Sequence, residues 1–324
     1  MSDRAAGPRQ PALATVAKPS IRGIAVADLS AVLGAVVWLA MTATGELDAI
    51  ERALALAPLV LVPLALRTAV SGAFEAPVSR LTTTAIWLQP VGALLFAVSL
   101  VVPSPALLAA ALATPWLAVT GLLGLAAFVR TRARGGLVFP ETAIDAGFAY
   151  VSVGAVALLL AHLDLTLWFD RVIIRLTAVH FHYAGFVLPV AAGLTGRYLG
   201  DHSWEFRTVV GVVLVGPALI AVGIAFSPLV EVVAVSLFTV AVAAFGGVVL
   251  HRVVPACSRP QGLLLGIAAV ALPVSMALAL GYGVSTFTGR SLGLTISTMV
   301  ALHGSLNAFG FGLCATLGWR LSAP

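Results

Sequence analysis

The stretch that decides the fold is residues 81–129, LTTTAIWLQPVGALLFAVSLVVPSPALLAAALATPWLAVTGLLGLAAFV, which contains no Asp, Glu, Lys or Arg. A helix crosses the hydrocarbon core of a bilayer, about 30 Å thick, in roughly 20 residues. The stretch is therefore too long for one membrane span and fits two, separated at Pro103-Ser104-Pro105. Apolar residues fill consecutive positions here instead of every second position. This pattern predicts helices and excludes the strands of a membrane barrel.

The whole chain shares the composition of this stretch. Of its 324 residues, 60% are hydrophobic and 10% are charged, and the mean hydropathy is +1.07. A soluble domain is roughly 45–50% apolar and about 25% charged, so these charges are too few to cover a water-facing surface. The composition excludes a soluble enzyme and a disordered chain. The two cysteines, Cys257 and Cys314, are too few for a disulfide framework.

The same length rule, applied along the chain, predicts an all-α, polytopic transmembrane helix bundle of ten spans. These are 24–43, 50–70, 81–102, 105–129, 142–163, 172–194, 208–226, 229–250, 261–283 and 292–318. Arg52 and Arg67 shorten the apolar run of the second span, and we expect their long side chains to reach the two interfaces. Residues 1–22 are polar and basic and are expected to form a disordered cytoplasmic tail before a single transmembrane domain at 23–324.

The distribution of basic residues orients the bundle. With ten spans and a cytoplasmic tail, 14 of the 18 Lys and Arg residues fall inside, and the others are Arg52, Arg171, Arg175 and Arg290. This bias follows the positive-inside rule and predicts that both termini are cytoplasmic. The role of the basic residues in orienting the spans also explains the pI near 9.9. A nucleic-acid partner is therefore not needed to explain it. The expected partner is therefore the lipid bilayer and the expected location the plasma membrane, while the oligomeric state is not readable from the sequence.

Three histidines are predicted to lie deep in the bundle, which is where ionisable groups usually carry a role. His180 and His182 are on the sixth span and His303 is on the tenth. Residues two apart on a helix differ by about 200°, so His180 and His182 should point to opposite faces and cannot ligate one metal from a regular helix. Further polar side chains on these two spans complete the candidate ligand-binding set: Arg175, Tyr183 and Asn307.

The tenth span carries a stripe at helical spacing, formed by His303, Asn307, Gly310 and Cys314. Small residues beside it favour a close helix neighbour, and our hypothesis is that this neighbour is the sixth span. Three interpretations of the histidines stay open: interhelical hydrogen bonds alone, a proton- or solute-binding site, or a metal or haem site. Imidazole is the commonest metal ligand and titrates near neutral pH, so the last two are both chemically reasonable.

Two segments carry a family resemblance: residues 177–186, TAVHFHYAGF, and residues 303–312, HGSLNAFGFG, followed by Gly318-Trp319. Together they resemble the YndJ-like family of polytopic bacterial membrane proteins. The resemblance covers most of the spans, and implies a bacterial plasma membrane and a loose transporter-like label without a substrate.

The tetrapeptide HFHY at 180–183 is also similar to a segment of haem-copper oxidase catalytic subunits. In those subunits the two histidines, on opposite helix faces, ligate two different haems, which implies such roles for His180 and His182. That family also needs a partner histidine for the low-spin haem and three more for copper, whereas two of the six histidines here, His202 and His251, lie in or beside loops, so full oxidase chemistry is not expected. The haem site that this resemblance leaves open is a single bis-histidine haem, with His303 paired to His180 or His182.

The leading hypothesis is a small-molecule or ion permease with a buried histidine site, in which Arg175 binds an anionic group or pairs with Asp170. The second is a haem- or metal-binding redox protein that uses His180, His182 and His303, and the third is a non-catalytic membrane sensor or scaffold. The sequence contains no G-x-x-x-x-G-K-[ST] and no H-E-x-x-H, so neither ATP hydrolysis nor zinc proteolysis is supported. No residue is assigned a catalytic role.

Overall fold

A computed structural model describes residues 19–70, 76–103, 105–200 and 203–324. Most of the predicted tail, residues 1–18, lies outside the described residues, as does Ser104 of the predicted break. The chain enters the bundle through a short antiparallel hairpin, β1 (Ser20–Ile21) and β2 (Ile24–Ala25). The end of the segment predicted as a tail therefore belongs to this hairpin.

Ten helices, each long and apolar enough to cross a membrane, make up nearly all of the described chain. They are α1 (Val26–Thr44), α2 (Ala49–Ala69), α3 (Ala76–Val101), α4 (Leu107–Ala133), α5 (Glu141–His162), α6 (Arg171–Leu199), α7 (Trp204–Phe226), α8 (Pro228–Ala256), α9 (Arg259–Thr288) and α10 (Ile296–Leu321). The prediction of an all-α bundle of ten spans is confirmed. The largest difference lies at the inward end of α8, which continues six residues beyond the predicted limit, and one end each of α3, α6 and α9 extends five residues beyond it.

The second helix, the hardest to recognise in the sequence, is the most enclosed of the ten. In its most apolar window 78% of residues are buried, against 56% or less for every other span. It packs against α1 so closely that a Cβ on Gly34 would lie 2.0 Å from the carbonyl oxygen of Leu59. Because α2 is shielded by protein rather than lipid, charged residues near its ends are stabilised by partners on other helices.

Ion pairs close one end of the bundle, which we call the inner end after the orientation that the basic residues predict. Asp28 on α1 accepts two hydrogen bonds of 2.8 Å from Arg320 on α10 and lies 3.4 Å from Arg67 on α2. A second group at the same end joins α4, α5 and α6. Its members are Arg130, Arg134, Glu141, Asp145 and Arg197.

Wide π-helical turns interrupt α6 and α10 at the two segments that carry the family resemblance. The turn in α6 covers Tyr183–Val187, directly after His182, and those in α10 cover Val300–Gly304 and Leu306–Leu313. A π turn changes the register of the side chains that follow, and such turns occur frequently at functional sites. Similar turns lie in α2 and α8.

Candidate functional site

The structure brings His180 on α6 and His303 on α10 together. Their ring centroids are 6.0 Å apart and the ring planes are tilted by 31°. His180 is exposed and His303 is half-buried, although both lie well inside their spans. We call the region between the two rings the histidine cleft. The hypothesis that α10 faces α6 through His303 agrees with this geometry.

Hydrogen bonds define which ring nitrogen carries the proton in each histidine. The Nδ1 atom of His180 lies 2.7 Å from the carbonyl oxygen of Leu176, and that of His303 lies 2.9 Å from the carbonyl oxygen of Ser275 on α9. A carbonyl oxygen only accepts hydrogen bonds, so Nδ1 is the donor and Nε2 holds the lone pair. In their neutral form, both imidazoles of the cleft therefore present Nε2 as an acceptor.

The two Nε2 atoms differ in what they contact. The side-chain amide of Asn307 donates to His303 Nε2 at 3.1 Å. His180 Nε2 has no hydrogen-bond partner among the described residues. Asn307 therefore contacts His303, whereas His180 Nε2 is an acceptor that no donor among the described residues reaches.

His182 lies on the other face of α6, in a sealed aromatic pocket. Its Nδ1 donates to the carbonyl oxygen of Ala178 at 2.8 Å, and Trp116 on α4 donates its indole N–H to His182 Nε2 at 3.0 Å. The ring stacks on Trp116 and meets the edge of Phe96 on α3. With both nitrogens bonded and no exposed surface, this side chain connects helices, and the structure does not bring it to His180 and His303.

Tyr183 follows His180 by three residues on α6 and contacts both α2 and α10. It donates a hydrogen bond of 2.9 Å to the carbonyl oxygen of Ala53 on α2 and is buried. A Cβ on Gly312 of α10 would lie 2.9 Å from its ring, so α6 and α10 pack tightly here because position 312 has no side chain. Tyr183 and Gly312 thus mark a close contact between the two helices on the inner side of His180.

Arg175 joins α6 to the outer end of α2. It donates to Asp48 at 2.6 Å and lies 3.2 Å from Glu51, which corrects the predicted pairing with Asp170. The two acids form a capping box at the start of α2, in which each side chain accepts from the other residue's backbone N–H. That box holds both carboxylates beside α6, whereas Asp170 precedes the first turn of Arg175's own helix.

Sequence reasoning missed the charged group at the inner end of α4, α5 and α6. Arg197 makes two bonds to Glu141, of 2.6 and 2.7 Å, and one of 2.9 Å to the carbonyl oxygen of Ala69. Arg130 pairs with both Glu141 and Asp145 and is almost fully buried. The sequence placed the three arginines and Asp145 at the inner side but did not predict that they pair. The available signal was the close succession of basic and acidic residues on either side of the short α4–α5 connection.

Comparison with known proteins now places the chain. A family model described as YndJ-like protein matches residues 52–311, which include the whole histidine cleft. The chain belongs to the YndJ-like family. It is also 33% identical over 183 residues to the "Uncharacterized membrane protein YndJ" of Bacillus subtilis (strain 168). That match covers 56% of this chain and 33% of the relative, so the chain spans about a third of the relative's length. No solved structure matches.

Proposed function

We propose that this YndJ-like chain is a plasma-membrane permease, with residues 23–324 as one transmembrane domain, and that it binds a small solute or ion in the histidine cleft. The observation that carries the proposal is the exposed His180, whose Nε2 has no hydrogen-bond partner among the described residues and whose ring centroid lies 6.0 Å from that of His303. A polar group this deep in a span is costly unless a partner or water reaches it.

The distribution of ion pairs supports access from the outer side. At the inner end, Arg320 and Arg67 form ion pairs with Asp28. Arg130 and Arg197 form ion pairs with Glu141 at the same end. The histidine cleft lies beyond Tyr183 on the opposite side of these contacts. Carriers hold their site near the bilayer midplane and open it to one side at a time, and an outward-open state accounts for this arrangement.

The redox hypothesis receives less support from the same geometry. Among the described residues there is no group of three or more His, Cys, Asp and Glu that could hold a metal ion. A bis-histidine haem would take His180 and His303, because both nitrogens of His182 already make hydrogen bonds. We found no observation that favours the sensor or scaffold hypothesis over the permease.

Cysteine accessibility tests the proposal. In a chain with Cys257→Ser and Cys314→Ser, cysteine replaces either His180 or Val240, and intact cells receive a membrane-impermeant methanethiosulfonate. Val240 is also exposed, at 69%, but lies midway along α8, where the surrounding medium is lipid. We expect reagent to modify the cysteine at 180 and not that at 240. An unreactive cysteine at 180 in a normally folded protein, or equal reaction at both positions, overturns the outward-facing site.

A further inference from the structure

We propose that the ligand of the histidine cleft is a soft monovalent metal ion of the Cu⁺ class, held between the Nε2 atoms of His180 and His303. The inference rests on the proposed function for the route by which the ion reaches the cleft. The binding chemistry rests on the two imidazoles alone. It differs from the metal hypothesis drawn from the sequence, because His182 takes no part.

The orientation of both rings is that of metal ligands. A histidine that binds a metal through one nitrogen almost always donates the other N–H to a carboxylate, a backbone carbonyl or water, which fixes the tautomer. His180 donates to Leu176 and His303 donates to Ser275, both through Nδ1 and both to backbone carbonyl oxygens. Nε2 is therefore the nitrogen that each ring offers to a cation, without a partner in His180 and bonded to Asn307 in His303.

The separation of the rings fits two bonds to one ion. A metal–imidazole bond is about 2 Å long, so two rings on one ion have centroids roughly 6 Å apart when the bonds are close to collinear. The observed separation is 6.0 Å. A nearly linear pair of nitrogen ligands satisfies a d¹⁰ monovalent ion, whereas Zn²⁺ takes four ligands in almost all structural sites. Two neutral ligands also match a single positive charge better than a double one.

The neighbouring residues agree with a soft ion. Met299 lies four positions before His303 on α10, which places it on the same face of the helix. Thioether sulfur selects Cu⁺ among the common metals. The amide of Asn307, which now donates to His303 Nε2, would be displaced when the ion binds, so it keeps the lone pair satisfied in the empty cleft.

The test is anaerobic titration of the purified full chain with Cu⁺, buffered by a competing chelator and carried out without a polyhistidine tag. Cys257→Ser and Cys314→Ser remove the two thiols, which would otherwise bind the ion. We expect one Cu⁺ per chain, and X-ray absorption should show short Cu–N bonds. Affinity should fall by roughly 10–100-fold or more in His180→Ala and in His303→Ala. The control is His251→Ala, which removes an exposed histidine on α8 and should leave affinity unchanged.

The outcomes separate this inference from the permease proposal. Absence of Cu⁺ binding, or binding that persists in both His180→Ala and His303→Ala, overturns the metal assignment. If the cysteine at 180 is accessible in cells while Cu⁺ does not bind, the permease proposal stands and only the ligand is wrong. If Cu⁺ binds through both histidines in detergent while that cysteine is unreactive, the site stands and the outward-facing permease does not. Equal melting temperatures of the variants confirm that losses of affinity do not reflect unfolding.

Discussion

His180 and His182 are two residues apart on α6, yet their surroundings are opposite. Both donate Nδ1–H to the carbonyl oxygen four residues earlier, on Leu176 and Ala178. They differ at Nε2, which accepts from the indole N–H of Trp116 in His182 and has no hydrogen-bond partner among the described residues in His180. The backbone thus fixes the same tautomer twice, and the neighbouring helices decide whether the remaining lone pair connects helices or stays available to a ligand.

Residues of three other helices surround the side chain of His182. Trp116 from α4 and Phe96 from α3 contact its ring, and Gly154 from α5 approaches its Nδ1. A buried polar group is tolerated at low cost only when all of its hydrogen bonds are made. The comparison therefore predicts that changes around His182 affect stability, while changes around His180 affect binding.

The largest expected effect is that of His182→Ala. The substitution leaves a cavity among α3, α4 and α6 and removes the acceptor of the Trp116 N–H, so we expect a loss of about 2–5 kcal/mol in stability. Thermal unfolding in detergent, followed by tryptophan fluorescence, measures it. His180→Ala is the matched control, because it empties an exposed position and should change stability by less than about 0.5 kcal/mol. Equal losses in the two variants would contradict the distinction between the sealed pocket and the cleft.

A smaller loss is expected from Gly154→Ala. An added Cβ would lie 2.6 Å from His182 Nδ1 and 3.0 Å from the carbonyl oxygen of Ala178, so either α5 or the ring has to move. Such overpacking typically costs about 1–3 kcal/mol. The control is Gly121→Ala on α4, where a Cβ meets nothing within 4 Å and alanine favours the helix. We expect the melting temperature to fall for the first variant and to stay level or rise for the second.

Trp116→Phe isolates the hydrogen bond from the packing. Phenylalanine retains an aromatic ring beside His182 but cannot donate to Nε2, so a buried acceptor is left without a partner at a cost of about 1 kcal/mol or slightly more. Unfolding in detergent again provides the measurement. Trp168→Phe, at an exposed position, controls for the removal of an indole. If Trp116→Phe is as stable as this control, the indole bond contributes nothing and the pocket is held by packing alone.

The ten spans could be predicted from the sequence because the bilayer sets a fixed helix length and charges interrupt apolar runs. α2 was predicted although Arg52 and Arg67 shorten its apolar run. Its central position could not be predicted, since hydropathy does not distinguish a helix surrounded by protein from one surrounded by lipid. The 78% burial of α2 results from packing against several helices, which a run of apolar residues does not specify.

Within the candidate site, helix periodicity correctly predicted that His180 and His182 face opposite ways. It could not predict which helix lies on each side. Trp116 is 66 positions from His182 in the chain, and Asp48 is 127 from Arg175. Pairing Arg175 with Asp170 relied on proximity in the sequence, whereas the structure selects partners across helices. Contacts of this kind depend on which helices are neighbours in the bundle. A local sequence pattern does not specify these neighbours.

The smallest predicted effect tests the role of Asn307 in the cleft. Its amide donates to His303 Nε2, the atom to which Cu⁺ is proposed to bind, so Asn307→Ala removes a competitor. A hydrogen bond within a membrane protein contributes about 0.6 kcal/mol on average, which corresponds to roughly threefold tighter Cu⁺ binding. The anaerobic chelator competition resolves a change of this size, with His251→Ala again as the control. Weaker binding in Asn307→Ala would contradict the proposed exchange, because Asn307 would then hold His303 in place for the ion or bind the ion itself.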